Sequence, residues 1–254
     1  MGPRTDERMP RPLRDALLDA AGLVLPVACA GCGAPDRSLC DGCRAELVPR
    51  PFRVARTAEP AWAAMPYAGT AARVIRALKD GGRTDAAGSL GTALGAALAA
   101  ACGELDDAPR EVAVVPSTPA ARRRRGVDVV GLLVRRAGYR PSHVLRARPR
   151  RDQAALGREE RRTNSAGSFA ARGPLDGRRF VLVDDVLTTG STLADAARAI
   201  VAAGGSVDAV SVLARTELRI GRGEPDGWRS TRDIGDLAGY GVRTGVVEPP
   251  FRSG

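Results

Sequence analysis

The sequence predicts an α/β fold: a central parallel sheet flanked by helices, preceded by a small metal-binding module. Three observations carry that expectation. An apolar, β-branched run, Val181 to Val183, ends on two acids and enters the small-residue turn of VLVDDVLTTGSTL. Short apolar runs alternate with amphipathic stretches along most of the chain. Two CxxC pairs stand close together near the N-terminus. At 254 residues the chain has room for one large domain or one domain with appendages, and 44% apolar residues suffice for a core.

Residues 1–24 read as a tail with a short helix. A basic start precedes AAGLVLPVACAGC, as before an export signal, but Asp15 and Asp19 break the apolar approach to it and Pro26 is misplaced for a lipobox. No run approaches membrane-spanning length, so no membrane insertion is expected. The expected compartment is the cytoplasm, where disulfides are rare. Cys29, Cys32, Cys40 and Cys43 then read, within a module at 25–50, as a structural Zn²⁺ site with Gly31, Gly33 and Gly42 supplying tight backbone. A redox CxxC would not need a second pair so near.

Arg50 to Pro60 is proline-spotted and reads as a linker, with the main domain following at 61–216. Ala61 to Tyr67 is a first strand. Ala71 to Asp80 is a helix with Val74, Ile75 and Leu78 on one face, and Ala86 to Cys102 is a second, with Leu90, Leu94 and Leu98 on its apolar side. Glu111 to Val115 is a strand closed by Pro116, Ser117, Thr118 and Pro119. The four arginines Arg122 to Arg125 would spread over roughly 300° of a helix. A loop or first helical turn opening into an anionic pocket accommodates them, and so does a plain surface cluster. Val129 to Arg136 is a helix and Ser142 to Ala147 a strand. His143, the only histidine, has no acid beside it in sequence and reads as incidental. Arg148 to Ser168 reads as a long, charged loop, a candidate lid.

Val181 to Val183 suits a strand buried on both faces. Asp184 and Asp185 point to opposite faces if the extended backbone continues, so at most one can hide in the core. Thr188, Thr189, Gly190, Ser191 and Thr192 let backbone amides approach a ligand, and the helix Leu193 to Ala203 follows. Its free amides and dipole favour a phosphate, while the acids can accept hydrogen bonds from ribose hydroxyls or help hold a divalent cation. An ordinary turn with Ser191 or Thr192 as N-cap would need no paired acids. A Walker B strand also ends on acids, but the chain's only lysine, Lys79, follows Ala77 and Leu78 where a P-loop needs glycine.

The formal charge of +10, from 39 basic and 29 acidic residues, favours phosphorylated or polyanionic partners without choosing between them. Aromatic residues make up only 4%, which argues against bases stacking along a sheet. Direct nucleic acid binding is open but not indicated. Residues 217–254, rich in Gly, Arg and Pro, read as a mobile tail.

The VLVDDVLTTGSTL run resembles the PRPP-binding motif of type I phosphoribosyltransferases. With the two CxxC pairs, the ALKD stretch ending at Asp80, the strand-proline-arginine-RG element at 112–126 and the pattern of Arg150 or Arg151, Gln153, Leu156, Arg161 and Asn164, the chain from Gly22 to Thr216 resembles the ComF family. That is a competence-associated branch with a four-cysteine N-terminal module. The family often continues RG with Phe-Asn-Gln, where this chain has Val127, Asp128 and Val129. The resemblance implies that Asp184 and Asp185 meet ribose hydroxyls and that Thr188 to Thr192 cradle the 5-phosphate. It places the loop from Pro116 through Arg122 to Arg125 near pyrophosphate, and closes the loop with Arg151, Arg161 and Arg162 over the site. It further implies Mg²⁺ with PRPP and phosphoribosyl transfer to a nitrogenous acceptor, or a silent PRPP- or nucleotide-binding partner of DNA-uptake or recombination proteins.

Overall fold

The computed structural model describes residues 27–55, 57, 59–148 and 167–216. The expected tail and helix at 1–24, the loop carrying Arg151, Arg161 and Arg162, and the tail at 217–254 lie outside the described residues.

The architecture is mixed α/β, with a central, mostly parallel sheet flanked by helices. The chain runs from the cysteine segment through α1 (Asp41–Glu46), β1 (Phe52–Val54), β2 (Ala61–Pro66), α2 (Gly69–Asp80), α3 (Ala87–Gly103), β3 (Glu111–Val114), α4 (Pro119–Arg125), α5 (Val129–Arg136) and β4 (Pro141–Ser142). There follow β5 (Leu145–Ala147), β6 (Phe169–Ala171), β7 (Arg179–Leu187), α6 (Ser191–Val201) and β8 (Ser206–Arg215). The six-stranded sheet has the order β1-β2-β8-β7-β3-β4. Only β1 is antiparallel to its neighbour. β5 and β6 form a separate antiparallel ribbon.

The alternation of β7 explains its apolar run. Val181 and Val183 join the core beneath α2, α3 and α5, whereas Phe180 and Leu182 join the core beneath α6 and the ribbon. A parallel strand covered on both faces has no solvent side on which to place polar residues. At the amino edge of the sheet, charges pair among themselves. Arg110 and Arg179 both donate to Asp208 Oδ2, at 2.6 and 2.8 Å, and Arg178 forks onto Glu111 with two bonds of 2.7 Å.

Several expectations need correction. Arg50 to Pro60 is not simply a linker, since β1 lies within it; three residues are too few to show a period. Ser142 to Ala147 is two strands in two sheets, because Pro141–Ser142 pairs with β3 while Leu145–Ala147 pairs with β6. The arginine run is a short helix, started by Thr118 accepting from the Ala121 N–H with Pro119 in the first turn, and stopped by Gly126. β7 runs past both acids to Leu187, and α6 begins two residues earlier than expected. Finally, Thr84–Gly103 is long and apolar enough to cross a membrane by length and composition alone. Leu90, Leu94 and Leu98 are nonetheless fully buried in the core, and that accounts for its apolar character.

Candidate functional site

A cleft of about 520 Å³ opens at the carboxyl ends of the parallel strands, where ligands bind in open α/β sheets. Asp184 and Asp185, the loop after β3 from Val115 to Thr118, Thr188, Ser191 and Thr192, and Arg148 of the ribbon all line it.

Because the extended backbone persists to Leu187, the two acids do face opposite sides of the sheet. Asp185 is buried on the α2 side, and Lys79 Nζ lies 3.0 Å from both of its carboxylate oxygens. Asp184 faces the cleft, and its Oδ1 accepts the Asp185 N–H at 2.8 Å. Burial first, and the charge of Asp185 second, push the Asp184 carboxyl up to about 8; the Asp185 N–H and Lys79 oppose this only in part. The pair thus holds one carboxylate neutralised by a cation and one reluctant to ionise until a donor or cation arrives.

The turn between β7 and α6 is hydroxyl-rich and open. Thr188, Thr189, Ser191 and Thr192 are exposed, and the Thr189 and Ser191 hydroxyls lie 3.1 Å apart. Gly190 occupies the N-cap with φ 79°, a left-handed conformation that favours glycine, and provides no side-chain cap. Neither Ser191 nor Thr192 is the N-cap. The Ser191 N–H meets the Thr189 hydroxyl only at 3.5 Å, and Gly190 supplies no cap of its own, so the first turn of α6 keeps amides directed where an anion would be favoured. Of these five residues, Thr188, Ser191 and Thr192 reach the cleft wall.

Of the arginines in α4, Arg125 lines the cleft, whereas Arg122 is exposed and lies outside its wall. Arg125 Nε is buried with no hydrogen-bond partner among the described residues. An orphaned guanidinium nitrogen beside a cleft fits an absent anion. Arg151, Arg161 and Arg162 lie outside the described residues. Sequence reading missed Lys79 as a site residue, although its being the chain's only lysine was a usable signal. It also missed Asp195, on the cleft wall, which accepts from the Gly167 and Phe169 N–H groups at 2.7 and 3.1 Å and so ties α6 to the ribbon. His143 has an acid nearby after all: Asp128 Oδ2 lies 3.6 Å from its Nδ1, though the pair stands outside the cleft wall and Asp128 also caps α5.

The sulfur atoms of Cys29, Cys32, Cys40 and Cys43 lie within 4.8 Å of one another and could hold a metal ion. The chain turns tightly because Cys29 Sγ accepts from the Gly31 and Cys40 N–H groups, each at 3.4 Å. Burial works against ionising Cys29, but the N–H groups of Cys40, Cys32 and Gly31 bring its thiol down to about 6. Burial and the neighbouring sulfurs push Cys43 up to about 12. Four converging sulfurs cannot all carry charge at this separation unless a cation sits among them, and the all-thiolate donor set suits a soft or borderline divalent ion. A Cβ on Gly31 would stand 2.5 Å from Cys43 Sγ, so only glycine fits there. The cluster is fastened to α2: Arg73 donates to the Gly31 carbonyl and, at 2.7 Å, to Thr70, whose hydroxyl reaches Glu46 at 2.6 Å.

No family model matches the chain. The chain is similar to the DNA utilization protein YhgH of Escherichia coli K12, 32% identical over 114 residues, covering 42% of this chain and 50% of that protein. It is also similar to YhgH of Escherichia coli O157:H7, 38% identical over 73 residues, or 29% of this chain and 32% of that one. An orotate phosphoribosyltransferase of Halorhodospira halophila is 40% identical over 58 residues, covering 23% of this chain and 27% of that enzyme. The chain spans half or less of the length of these curated relatives. The likeness is weak, and it joins a DNA utilization protein to a phosphoribosyltransferase.

Proposed function

We propose that the domain at 61–216 is a ComF-like phosphoribosyltransferase fold that binds PRPP and transfers its phosphoribosyl group to a nitrogenous acceptor, releasing pyrophosphate. The observation that carries this reading is the shared cleft. Paired acids near the carboxyl end of β7, a hydroxyl-rich helix start and the orphaned Arg125 face one space large enough for a phosphorylated sugar. Asp184 and Asp185 accept the ribose hydroxyls, Thr188 to Thr192 hold the 5-phosphate, and Arg125 meets the departing diphosphate. Lys79 pairs with Asp185 and holds it in place.

The reaction is displacement at C1 by a nitrogen lone pair as the C1–O bond to pyrophosphate breaks, with oxocarbenium character at the sugar. Positioning and charge stabilisation carry such a step, so no protein nucleophile is needed. Mg²⁺, when bound with PRPP, neutralises diphosphate charge. The loop with Arg151, Arg161 and Arg162 is assigned the closing role. The four cysteines, in a module at 25–50, hold a structural Zn²⁺, and the setting is cytoplasmic.

A second reading is a PRPP- or nucleotide-binding partner of DNA-uptake or recombination proteins, without turnover. It is favoured by the name of the Escherichia coli relatives, DNA utilization protein. Pyrophosphate release from Mg²⁺–PRPP across a panel of purine, pyrimidine and amine acceptors separates the two. Release with one acceptor, lost in Asp184→Asn/Asp185→Asn, supports the enzyme. PRPP binding without release supports the partner protein, and absence of binding contradicts both.

A further inference from the structure

A second groove, of about 610 Å³, lies between the β5–β6 ribbon and the exposed side of α6, and its chemistry differs from that of the cleft. Arg146, Arg148, Arg172 and Arg198 line it. Arg146 within β5 and Arg148 directly after it are both exposed, whereas Leu145 is buried. Neither has a polar partner among the described residues. Arg172 is fixed through Nε to the Leu145 carbonyl at 3.2 Å, which leaves its terminal nitrogens outward. Arg198 is the only one of the four paired with a carboxylate, that of Asp195, at 2.6 Å. Asp176 is the one acid among the described residues of the groove wall.

Three guanidinium groups with no carboxylate partner among the described residues raise the positive potential of one groove and favour an anion there. Apart from Pro174 and Phe169, the uncharged wall is alanine and glycine. Small residues form no pockets for the side chains of an acidic peptide, and the one aromatic residue, Phe169, is buried and offers no stacking face. An open, arginine-lined, pocketless surface reads repeating backbone charge and not bases. The arginine fork matches two phosphate oxygens at once.

We infer that this groove binds the phosphodiester backbone of a nucleic acid, without sequence preference. The site is separate from the cysteine cluster and does not depend on PRPP. It shares Arg148 and Phe169 with the cleft wall, so a bound strand runs up to the cleft.

The test is fluorescence anisotropy of the full chain with labelled single- and double-stranded oligonucleotides of mixed sequence, from 50 to about 300 mM NaCl. Three phosphate contacts predict a log–log salt slope of about −2 on a single strand, at about −0.7 per contact. Arg146→Gln/Arg172→Gln should weaken binding about tenfold at low salt and flatten the slope by about 1.4, with cysteine-bound metal and PRPP titration unchanged. If loss of the Arg172 bond unfolds the ribbon, Arg146→Gln alone removes an exposed cation with no partner among the described residues and should flatten the slope by about 0.7. Absence of oligonucleotide binding, or an unchanged slope in the single variant, overturns the inference. So does triphosphate binding as tightly as the oligonucleotide, or binding of anionic vesicles in preference to it. Failure of PRPP to bind leaves this prediction standing, so the two accounts fail separately.

Discussion

The cysteine cluster and the cleft sit at two ends of one helix, α2, and are built on opposite terms. At the N-terminal end, Thr70 and Arg73 clamp a cluster whose sulfurs converge, whose backbone donates to them and whose Gly31 leaves no room for a Cβ. At the C-terminal end, Lys79 reaches into a cleft that holds a carboxyl pushed up to about 8 and an orphaned arginine nitrogen. The first is a closed set that one cation completes. The second keeps groups unsatisfied, which costs stability without ligand and is tolerated where a ligand exchanges. The difference is the one expected between a structural site and a ligand-exchanging one.

The largest effect is expected from breaking the closed set. Cys29→Ser/Cys43→Ser should remove bound zinc, measured by atomic emission, and lower the melting temperature by about 10 °C, because structural metal binding is folding free energy. A cluster that loses its metal with an unchanged melting curve would dissolve the comparison. Next comes Lys79→Met, which leaves Asp185 buried beside no cation. The pair is only partly enclosed, so the expected loss is about 1 to 2 kcal/mol, between the values for surface and buried pairs. Adding Asp185→Asn should restore much of it, and a double variant no better than the single one would mean that Lys79 acts elsewhere.

A third prediction concerns pH and Asp184. Its folded carboxyl is raised from the usual range to about 8, so the stability it contributes without ligand is present below about pH 4 and is lost as pH rises through 8. Asp184→Asn does not titrate. The melting temperature of the variant minus that of the unmodified chain should therefore grow between pH 5 and 9, and a constant gap would show that Asp184 ionises normally. The smallest effect is expected at α4. Arg122→Ala should change PRPP affinity less than twofold, while Arg125→Ala weakens it about tenfold, as for one lost charge-assisted hydrogen bond.

How far these two regions can be read from sequence follows from their locality. The cysteine spacing, the strand at 181–183 and the helix Val129–Arg136 rest on neighbouring residues, and a period or a spacing reveals them. The acid pair was legible down to its opposite faces, because alternation is a backbone property. Lys79 against Asp185 was not, since 106 residues separate them and only the packing of α2 on β7 brings them together. The split of Ser142 to Ala147 was hidden for a related reason: two short strands in different sheets look like one longer strand until the partner, β6, is in place. The arginine-lined groove likewise required the ribbon to pair before Arg146 and Arg172 shared a surface.

The central claim is that the unsatisfied groups of the cleft await a phosphorylated ribose. Calorimetric titration of Mg²⁺–PRPP into the full chain, beside Asp184→Asn/Asp185→Asn, tests it most directly. Saturable one-to-one binding by the unmodified chain, weakened about a hundredfold or more in the double variant by loss of two charged hydrogen-bond acceptors, is the predicted result. Equal binding by both proteins, or none by either, would contradict it.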